Sequence, residues 1–334
     1  MEEEARFWER VRESDVQCLL CAHRCVIKEG QRGICRLRIN REGTLYTQAY
    51  GAVTSLAIDP IEKKPLYHFY PGTMAFSIST ASCNFRCLNC QNYSLSAYDL
   101  RTVPYMYMGA RSAVDKALEN RCDGIAYTYN EPTLWYEYTY DCSKLAHEEG
   151  LYNVYVTNGY MTEGPLREIA PHLDAMNIDV KGDDDFYKKV CKARLEPVLE
   201  TCRLAMDLGI HIELTYLIIP GYNDDNNMIE KFCDFVVKDL GYETPVHFTK
   251  FFPYYMMKDA KPTPLSTLLR AYTIAKSKKI EFVYIGNVQD KEHNNTYCPQ
   301  CNSLLIDRNM FRVDTAGLEG KKCRKCGRTI PLVL

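Results

Sequence analysis

One pattern repeats from about residue 74 to residue 290: a run of β-branched or aromatic residues, a polar loop, and a segment with helical apolar spacing. The predicted strands are residues 75–80, 124–129, 153–157, 174–180, 210–218, 245–251 and 281–286. The predicted helices are residues 110–120, 134–149, 195–208, 228–240 and 264–278. Alternation of this kind predicts an α/β fold in which about six β/α units form a parallel sheet that curls into a full or partial barrel. Reactive residues of such folds gather beyond the C-terminal ends of the strands.

The sixteen cysteines of the chain are unevenly distributed. Eleven fall into three clusters: Cys18, Cys21, Cys25 and Cys35; Cys83, Cys87 and Cys90; Cys298, Cys301, Cys323 and Cys326. The other five are interpreted as small buried hydrophobes: Cys122, Cys142, Cys191, Cys202 and Cys233. A disulfide framework would suit a small secreted chain, and the acidic start Met1-Glu2-Glu3-Glu4 is unlike a signal peptide. We therefore expect a cytoplasmic protein with reduced, metal-binding thiols.

The charge and hydropathy of the chain exclude two classes of partner. A formal net charge of −2 argues against a nucleic acid. No apolar run is long enough to cross a bilayer, so we expect no membrane partner either.

The central cysteine cluster follows the first strand of the repeat. Cys83, Cys87 and Cys90 have three and two residues between them. One loop can therefore carry three soft thiolates to three irons of a [4Fe-4S] cubane, and it leaves the fourth iron without a cysteine. An open metal position is where a substrate can bind. The spacing therefore predicts a reaction centre rather than a closed structural metal site.

This motif after a strand resembles the signature of the radical S-adenosylmethionine (radical SAM) superfamily. The motifs at residues 129–132, 157–159, 177–181 and 219–224 resemble strand ends of the pyruvate formate-lyase activating enzymes. The stretches at residues 59–65, 68–72 and 283–288 resemble the AmmeMemoRadiSam system radical SAM proteins. The resemblance covers nearly the whole chain and implies a radical SAM (β/α) partial TIM barrel. It also implies a [4Fe-4S] cluster that reductively cleaves S-adenosylmethionine (SAM) to methionine and a 5′-deoxyadenosyl radical.

The resemblance further implies which strand-end residues bind SAM. They are Asn130, Glu131, Thr157, Asn158, Asp179, Lys181 and Asn223, with Asp224 as an alternative to the last. Glu131 would accept a hydrogen bond from the methionyl amine, and Lys181 would meet the carboxylate. The alternative for each is a polar strand-end turn or a plain ion pair. Family members usually carry an aromatic residue against the adenine where this chain has Asn89, so stacking there is expected to be lost.

Other polar residues near the motifs have weaker signals. His247, Lys250 and Tyr254 are candidates for the substrate side of the site. Lys63, Lys64 and His68 could also face the cavity, although solvated loop residues are the simpler interpretation.

The chain divides into three predicted parts: residues 1–73, 74–290 and 291–334. The first opens with a predicted short charged helix over residues 1–17, and its four cysteines suit either zinc or an auxiliary iron–sulfur cluster. The last contains two Cys-x2-Cys knuckles, typical of a zinc ribbon. A rubredoxin-like iron or an auxiliary cluster is the alternative there.

The leading hypothesis is an oxygen-sensitive radical SAM oxidoreductase of an anaerobic cell. Its radical would abstract hydrogen from an unidentified substrate, and resemblance to activating enzymes suggests a glycine of a partner protein. A small molecule or another macromolecule is the rival substrate. The implied partners are this substrate and a low-potential electron donor of the flavodoxin or ferredoxin type. A cluster-bearing electron carrier or metal-regulated scaffold, which would not cleave SAM, is the alternative from another class.

Overall fold

The computed structural model describes residues 2–309 and 312–334. Its centre is one eight-stranded sheet whose spatial order follows the chain order. The strands are β1 (Ser55–Pro60), β2 (Met74–Ser79), β3 (Gly124–Tyr127), β4 (Tyr152–Thr157), β5 (Ala175–Asp179), β6 (His211–Ile218), β7 (Val246–Lys250) and β8 (Val283–Gly286). Strands β2 to β8 are parallel, and β1 pairs with β2 in the antiparallel direction. The α/β fold with a central parallel sheet is confirmed.

The sheet is open in the part of the chain that the structure describes, because β1 and β8 form its two edges and do not pair. The parallel strands are almost entirely buried, as in β4, because helices cover such sheets. All seven predicted strands are present. Strand β1 was not expected in this sheet, since residues 36–73 were interpreted as a linker.

Helices follow the strands, and five of them correspond to the predicted helical segments. They are α1 (Tyr93–Ser96), α2 (Ala110–Glu119), α3 (Tyr136–Glu148), α4 (Glu163–Ile169), α5 (Asp184–Phe186), α6 (Glu196–Asp207), α7 (Asn226–Phe235) and α8 (Leu265–Ser277). The chain also forms 3-10 turns at Ile61–Lys63, Pro132–Trp135 and Ala170–His172, and π-helical turns at Tyr187–Cys191 and Val236–Leu240. The described residues contain no helix long and apolar enough to span a membrane.

The predicted helix over residues 1–17 is wrong. Trp8–Arg12 and Asp15–Cys18 form an antiparallel hairpin, and Val26–Ile27 adds a third strand. The apolar positions had suggested a helical face, but Val16 is buried through strand pairing that the local pattern does not reveal. The remaining short strands of this region are Glu3–Glu4, Arg38–Arg41, Thr44–Thr47 and Ala52–Val53, the last paired with Met106–Tyr107.

The C-terminal residues form a small unit with its own core. Its strands are Thr296–Tyr297, Leu304–Asn309, Arg312–Asp314, Leu318–Glu319 and Lys322–Cys323. Leu305, Ile306 and Ile330 pack there together with Phe282 and Tyr284 at β8. The division of the chain at residues 73 and 290 stays a prediction.

The two ends of the sheet differ in what covers them. Ile61, Leu66 and Phe69 pack against the N-terminal ends of β2, β4 and β5. Apolar side chains therefore cover part of the N-terminal end of the sheet, whereas a polar cavity lies at the C-terminal end.

Candidate functional site

A cavity of about 640 Å³ lies at the C-terminal ends of the strands. Its lining includes nine of the predicted site residues: Cys83, Cys87, Cys90, Asn130, Glu131, Thr157, Asn158, Asp179 and Lys181. These residues come from the loop after β2 and from the ends of β3, β4 and β5. Parallel pairing aligns these strand ends, so residues far apart in sequence meet at one place.

The loop that carries Cys83, Cys87 and Cys90 is held against the π-helical turn at Tyr187–Cys191. The backbone N–H of Arg86 donates to the carbonyl of Cys191 at 2.9 Å, and that of Leu88 donates to Val190 at 3.1 Å. These long-range contacts position a loop that has no regular structure of its own.

The three thiols have the surroundings of cluster ligands. Cys83 Sγ accepts hydrogen bonds from the backbone N–H of Phe85 at 3.4 Å and from Asn158 Nδ2 at 3.6 Å. Cys90 Sγ lies 3.0 Å from Ser96 Oγ. Burial raises the pKa of the Cys83 thiol. The pKa of the Cys87 thiol is raised first by its hydrogen bond with Cys191 and then by burial. Thiols with raised pKa values become thiolates when a metal binds them. The sulfur ligands of a cluster also accept hydrogen bonds from nearby donors. The three cysteines therefore fit an iron–sulfur cluster.

Glu131 is buried and ties the end of β3 to the end of β4. Its Oε1 accepts from Thr133 Oγ1 at 2.6 Å and Thr157 Oγ1 at 2.7 Å, and its Oε2 accepts from the backbone N–H of Asn158 at 2.8 Å. Burial raises the pKa of Glu131, against these hydrogen bonds, which lower it. Most of its acceptor capacity is therefore used inside the protein.

Asn130 is turned so that its amide nitrogen faces the protein. Its Nδ2 donates to the carbonyl of Ser82 at 3.1 Å. Because the amide nitrogen is used in this way, Oδ1 is the atom that can accept from a ligand in the cavity.

Lys181 and Asp179 form an ion pair in the cavity. The Lys181 Nζ to Asp179 Oδ2 distance is 2.6 Å, and the two side chains are 19% and 33% exposed. Burial would lower the pKa of Lys181, but Asp179 and the nearby thiols of Cys87 and Cys191 raise it well above its usual value. The ammonium group is therefore a fixed positive charge beside the cluster loop.

The sequence interpretation underrated one part of the lining and did not single out Asp59 or Tyr129. Lys64 is buried, with Nζ 2.7 Å from Asp59 Oδ2, and Tyr129 Oη donates to the same oxygen. Lys64 and Lys63 were interpreted as solvated loop residues, but both line the cavity. The sequence did contain a signal for these residues. Asp59 and Lys64 lie in the stretch 59–65, and Tyr129 begins the motif 129–132, and both carry the family resemblance described above.

Asn223 lies outside the cavity, contrary to expectation. Its Oδ1 accepts from the backbone N–H of Ile219 at 2.6 Å, and its Nδ2 donates to the carbonyls of Lys181 and Leu217 at 2.7 and 2.8 Å. The side chain is fully buried, and its polar atoms are hydrogen-bonded to backbone groups, among them the carbonyl of Lys181. Asp224, the alternative, accepts from the backbone N–H of Gly221 at 2.7 Å and also lies outside the lining.

The substrate-side candidates His247, Lys250 and Tyr254 lie elsewhere as well, and so does His68. His247 is buried, with Nε2 2.6 Å from Glu213 Oε2, and His68 is buried, with Nε2 2.7 Å from the hydroxyl of Tyr284. Both belong to the packing toward the N-terminal end of the sheet. Lys250 and Tyr254 are absent from the described lining of the cavity.

The C-terminal cysteines form a compact group. Cys298, Cys301, Cys323 and Cys326 have all their Sγ atoms within 4.8 Å of one another and could hold one metal ion. The N-terminal cysteines, Cys18, Cys21, Cys25 and Cys35, line a separate small pocket. The structure therefore brings each predicted cysteine cluster together.

The fold and the cysteine loop define a class of protein. Residues 77–236 match the radical SAM superfamily, and the chain belongs to that superfamily. Membership implies a [4Fe-4S] cluster and SAM as cofactors.

Individual proteins show how far the similarity extends. The chain is 50% identical over 333 residues to the uncharacterized protein MJ0808 of Methanocaldococcus jannaschii, which covers 99% of both chains. It is 26% identical over 118 residues to the pyruvate formate-lyase-activating enzyme of Clostridium pasteurianum, covering 35% of this chain and 49% of that protein. It is similar in fold to Streptococcus suis SuiB, in a crystal structure bound to SAM, with a TM-score of 0.50, 11% identity, and coverage of 65% and 52% of the two chains.

Proposed function

We propose that the protein is a radical SAM oxidoreductase whose cluster is held by Cys83, Cys87 and Cys90. The observation that carries this proposal is the single cavity that collects these thiols with Asn130, Lys181 and the ends of three neighbouring strands. The chemistry that the cluster and SAM supply when bound is one-electron cleavage of the sulfonium to methionine and a 5′-deoxyadenosyl radical. The protein contributes placement.

Each polar group of the cavity has a part in that placement. Lys181, kept charged by Asp179, binds the methionyl carboxylate, and the free Oδ1 of Asn130 accepts from the methionyl amine. Glu131 holds Thr157 and the backbone of Asn158 so that both face the ribose side. Glu131 thereby acts by positioning Thr157 and Asn158 more than by direct contact with SAM.

The substrate is proposed by similarity. Similarity to the activating enzyme of Clostridium pasteurianum and to a putative glycyl-radical enzyme activating enzyme of Methanocaldococcus jannaschii supports a glycine of a partner protein as the hydrogen donor. A small molecule is the rival. The resemblance to AmmeMemoRadiSam system proteins, a flavodoxin or ferredoxin type of electron donor, and an anaerobic, cytoplasmic setting all stay predictions.

Formation of 5′-deoxyadenosine tests the reaction. Anaerobically reconstituted protein with dithionite and SAM should release this product, and candidate partners labelled with deuterium should transfer the label into it. Absence of product from protein with an intact, reduced cluster would instead support the electron carrier or scaffold.

We also propose that the C-terminal cysteines bind zinc. The distances from Cys298 Sγ to Cys326 Sγ and from Cys301 Sγ to Cys323 Sγ are 3.5 and 3.7 Å. Zn–S bonds in a tetrahedral site place neighbouring sulfurs about 3.8 Å apart. Metal analysis of a Cys298→Ser/Cys301→Ser variant should show loss of zinc with iron unchanged, and loss of iron with zinc retained would overturn the assignment.

A further inference from the structure

We propose that Cys18, Cys21, Cys25 and Cys35 bind an auxiliary [4Fe-4S] cluster that exchanges electrons with the cluster at Cys83, Cys87 and Cys90. The auxiliary site stands on its own observations, and only its redox partner rests on the proposed function. Zinc was the open alternative for these four cysteines, and four features of the structure favour iron and sulfide.

The four thiols share one apolar pocket. Leu20, Ile27 and Leu134 are among the other residues of its walls. The backbone N–H of Cys18 donates to the carbonyl of Cys25 at 2.9 Å, which closes the chain around the pocket. Gly33 comes close to Cys25, and a Cβ atom there would lie 3.2 Å from Ile27 Cδ1. A dry pocket of this kind suits a cluster that water and oxygen attack.

The spacing of the sulfurs separates a cluster from a single ion. The ligands of a single metal ion must lie close together. Among the described residues, the C-terminal cysteines are the group of three or more thiols whose Sγ atoms all lie within 4.8 Å of one another. The N-terminal thiols do not form such a compact set, and neither do Cys83, Cys87 and Cys90. A cubane binds each thiolate on a different iron, so its sulfurs lie further apart than the corners of one ZnS₄ tetrahedron. Like Cys83, Cys87 and Cys90, the N-terminal thiols are therefore not gathered as closely as the ligands of a single ion.

One thiol of the pocket has a side-chain nitrogen donor. The guanidinium of Arg38 donates to Cys18 Sγ at 3.6 Å. Arg38 is also ion-paired with the buried carboxylate of Glu137, so it would act on a cluster as a hydrogen-bond donor, and hydrogen bonds to the sulfurs tune the reduction potential of an iron–sulfur cluster.

Asn84 supplies an unused donor at the pocket wall. The residue is 1% exposed, and its Nδ2 has no hydrogen-bond partner among the described residues. Its Oδ1 is already identified as the acceptor, because Asn158 Nδ2 donates to it at 2.7 Å. Buried amide nitrogens are normally paired. A sulfur in the pocket would accept from Nδ2, and a [4Fe-4S] cluster adds four sulfides to the four thiolates that a ZnS₄ site would offer.

The same residue connects the two sites. Asn84 follows Cys83 in the chain, and its backbone carbonyl lies 2.9 Å from His23 Nε2, two residues after Cys21. Asn158 Nδ2 contacts both Asn84 Oδ1 and Cys83 Sγ. One electron can therefore pass along a short bonded path: the auxiliary cluster is oxidised from 1+ to 2+ while the Cys83 cluster is reduced from 2+ to 1+. A low-potential one-electron carrier reduces the auxiliary cluster again.

Metal content and spectroscopy of the full chain test the site. Reconstituted protein should contain about eight irons and eight sulfides, with two electron paramagnetic resonance signals of which only one responds to SAM. A Cys83→Ala/Cys87→Ala/Cys90→Ala variant should keep about four irons and the signal that ignores SAM. Cys202→Ala is the matched control and should keep all the iron. A second zinc in wild-type protein, or a wild-type iron content of about four, would overturn the proposal even if the triple variant failed to fold.

These outcomes are separate from those of the proposed function. Protein with eight irons that releases no 5′-deoxyadenosine would count against the reaction alone. Protein that releases the product with four irons would count against the auxiliary cluster alone.

The connection itself needs its own variant. Asn84→Leu keeps the size of the side chain but removes the donor to the pocket and the acceptor for Asn158. We expect a lower midpoint potential for the auxiliary cluster and slower reduction of the SAM-responsive signal, with the surface variant Asn120→Leu as control. Unchanged potentials and rates in Asn84→Leu would overturn the electron path.

Discussion

The side-chain amide of Asn223 donates a hydrogen bond to the backbone carbonyl of Lys181 across 2.7 Å. Asn223, in the turn after β6, thereby holds the backbone of Lys181, which lies after β5. Since Lys181 is one of the lysines that line the cavity, the geometry of the site depends on a contact between two separate strand ends.

Replacement of Asn223 by Ala should lower both stability and cofactor affinity. The variant leaves the carbonyl of Lys181 and the N–H of Ile219 without their partner, which costs about 1–3 kcal/mol for each buried group that water cannot reach. Urea unfolding measures the loss of stability, and titration of the cluster signal with SAM measures the loss of affinity. Asn227→Ala, on the exposed start of α7, is the control. Lower stability with unchanged affinity would show that Asn223 does not position Lys181.

Lys181→Met should weaken SAM binding more than it alters the fold. It removes the charge that we assign to the methionyl carboxylate, and hydrogen bonds to charged groups contribute about 1.5–3 kcal/mol, or roughly 10- to 150-fold in affinity. Lys189→Met is a matched control, because Lys189 is exposed and paired only with Asp185. Equal SAM affinity in the two variants would contradict the assignment of Lys181.

Asn89→Leu should also weaken SAM binding. Asn89 lines the cavity and is buried, and its Oδ1 has no hydrogen-bond partner among the described residues. That oxygen can accept from the adenine amine in place of the stacking that an aromatic residue provides. Loss of one such hydrogen bond corresponds to about 1 kcal/mol, or roughly fivefold in affinity. Unchanged affinity in Asn89→Leu, with Asn120→Leu as the reference, would remove Asn89 from the adenine site.

Acid should destabilise the protein through Glu213. Burial alone would raise its pKa, but hydrogen bonds with His211 and His247 outweigh burial and hold the pKa of Glu213 well below its usual value. A depressed pKa in the folded state contributes stability above the unfolded-state value of about 4.3, and that contribution is lost as the pH falls below it. The free energy of unfolding should therefore decrease below about pH 5.

The variant Glu213→Gln separates this effect from general acid unfolding. It should be less stable at pH 7 by about 3 kcal/mol, because it removes one partner of a buried charged network. Its stability should change less between pH 7 and pH 4 than that of the wild type. Chemical unfolding at several pH values measures both, and parallel curves for the two proteins would contradict the role of Glu213.

Much of the site was predictable because it is local in sequence. Cys83, Cys87 and Cys90 lie within one loop, and the polar residues at the ends of β3, β4 and β5 directly follow apolar runs. Parallel strands then align those ends, so the pattern alone was enough to expect that they meet.

Other residues were misplaced for a common reason. His247 lies on a predicted strand and Asn223 lies after one. In the structure His247 is buried beside Glu213, and the side chain of Asn223 is hydrogen-bonded to backbone groups. A residue on a predicted strand can be placed at the C-terminal end of the sheet only if it lies at the end of its strand. Its position on the strand also does not show which partners its side chain contacts. The hairpin that replaces the predicted first helix depends likewise on pairing with residues further along the chain.

By itself, the sequence determined the parallel α/β sheet, the three groups of thiols and the class of chemistry, because periodicity and ligand spacing act over a few neighbouring residues. The tertiary structure decided which polar residues face the cavity, how far apart the sulfurs of each group lie, and that Asn84 touches two of those groups. Those features arise from contacts between residues distant in the chain, which local patterns do not encode.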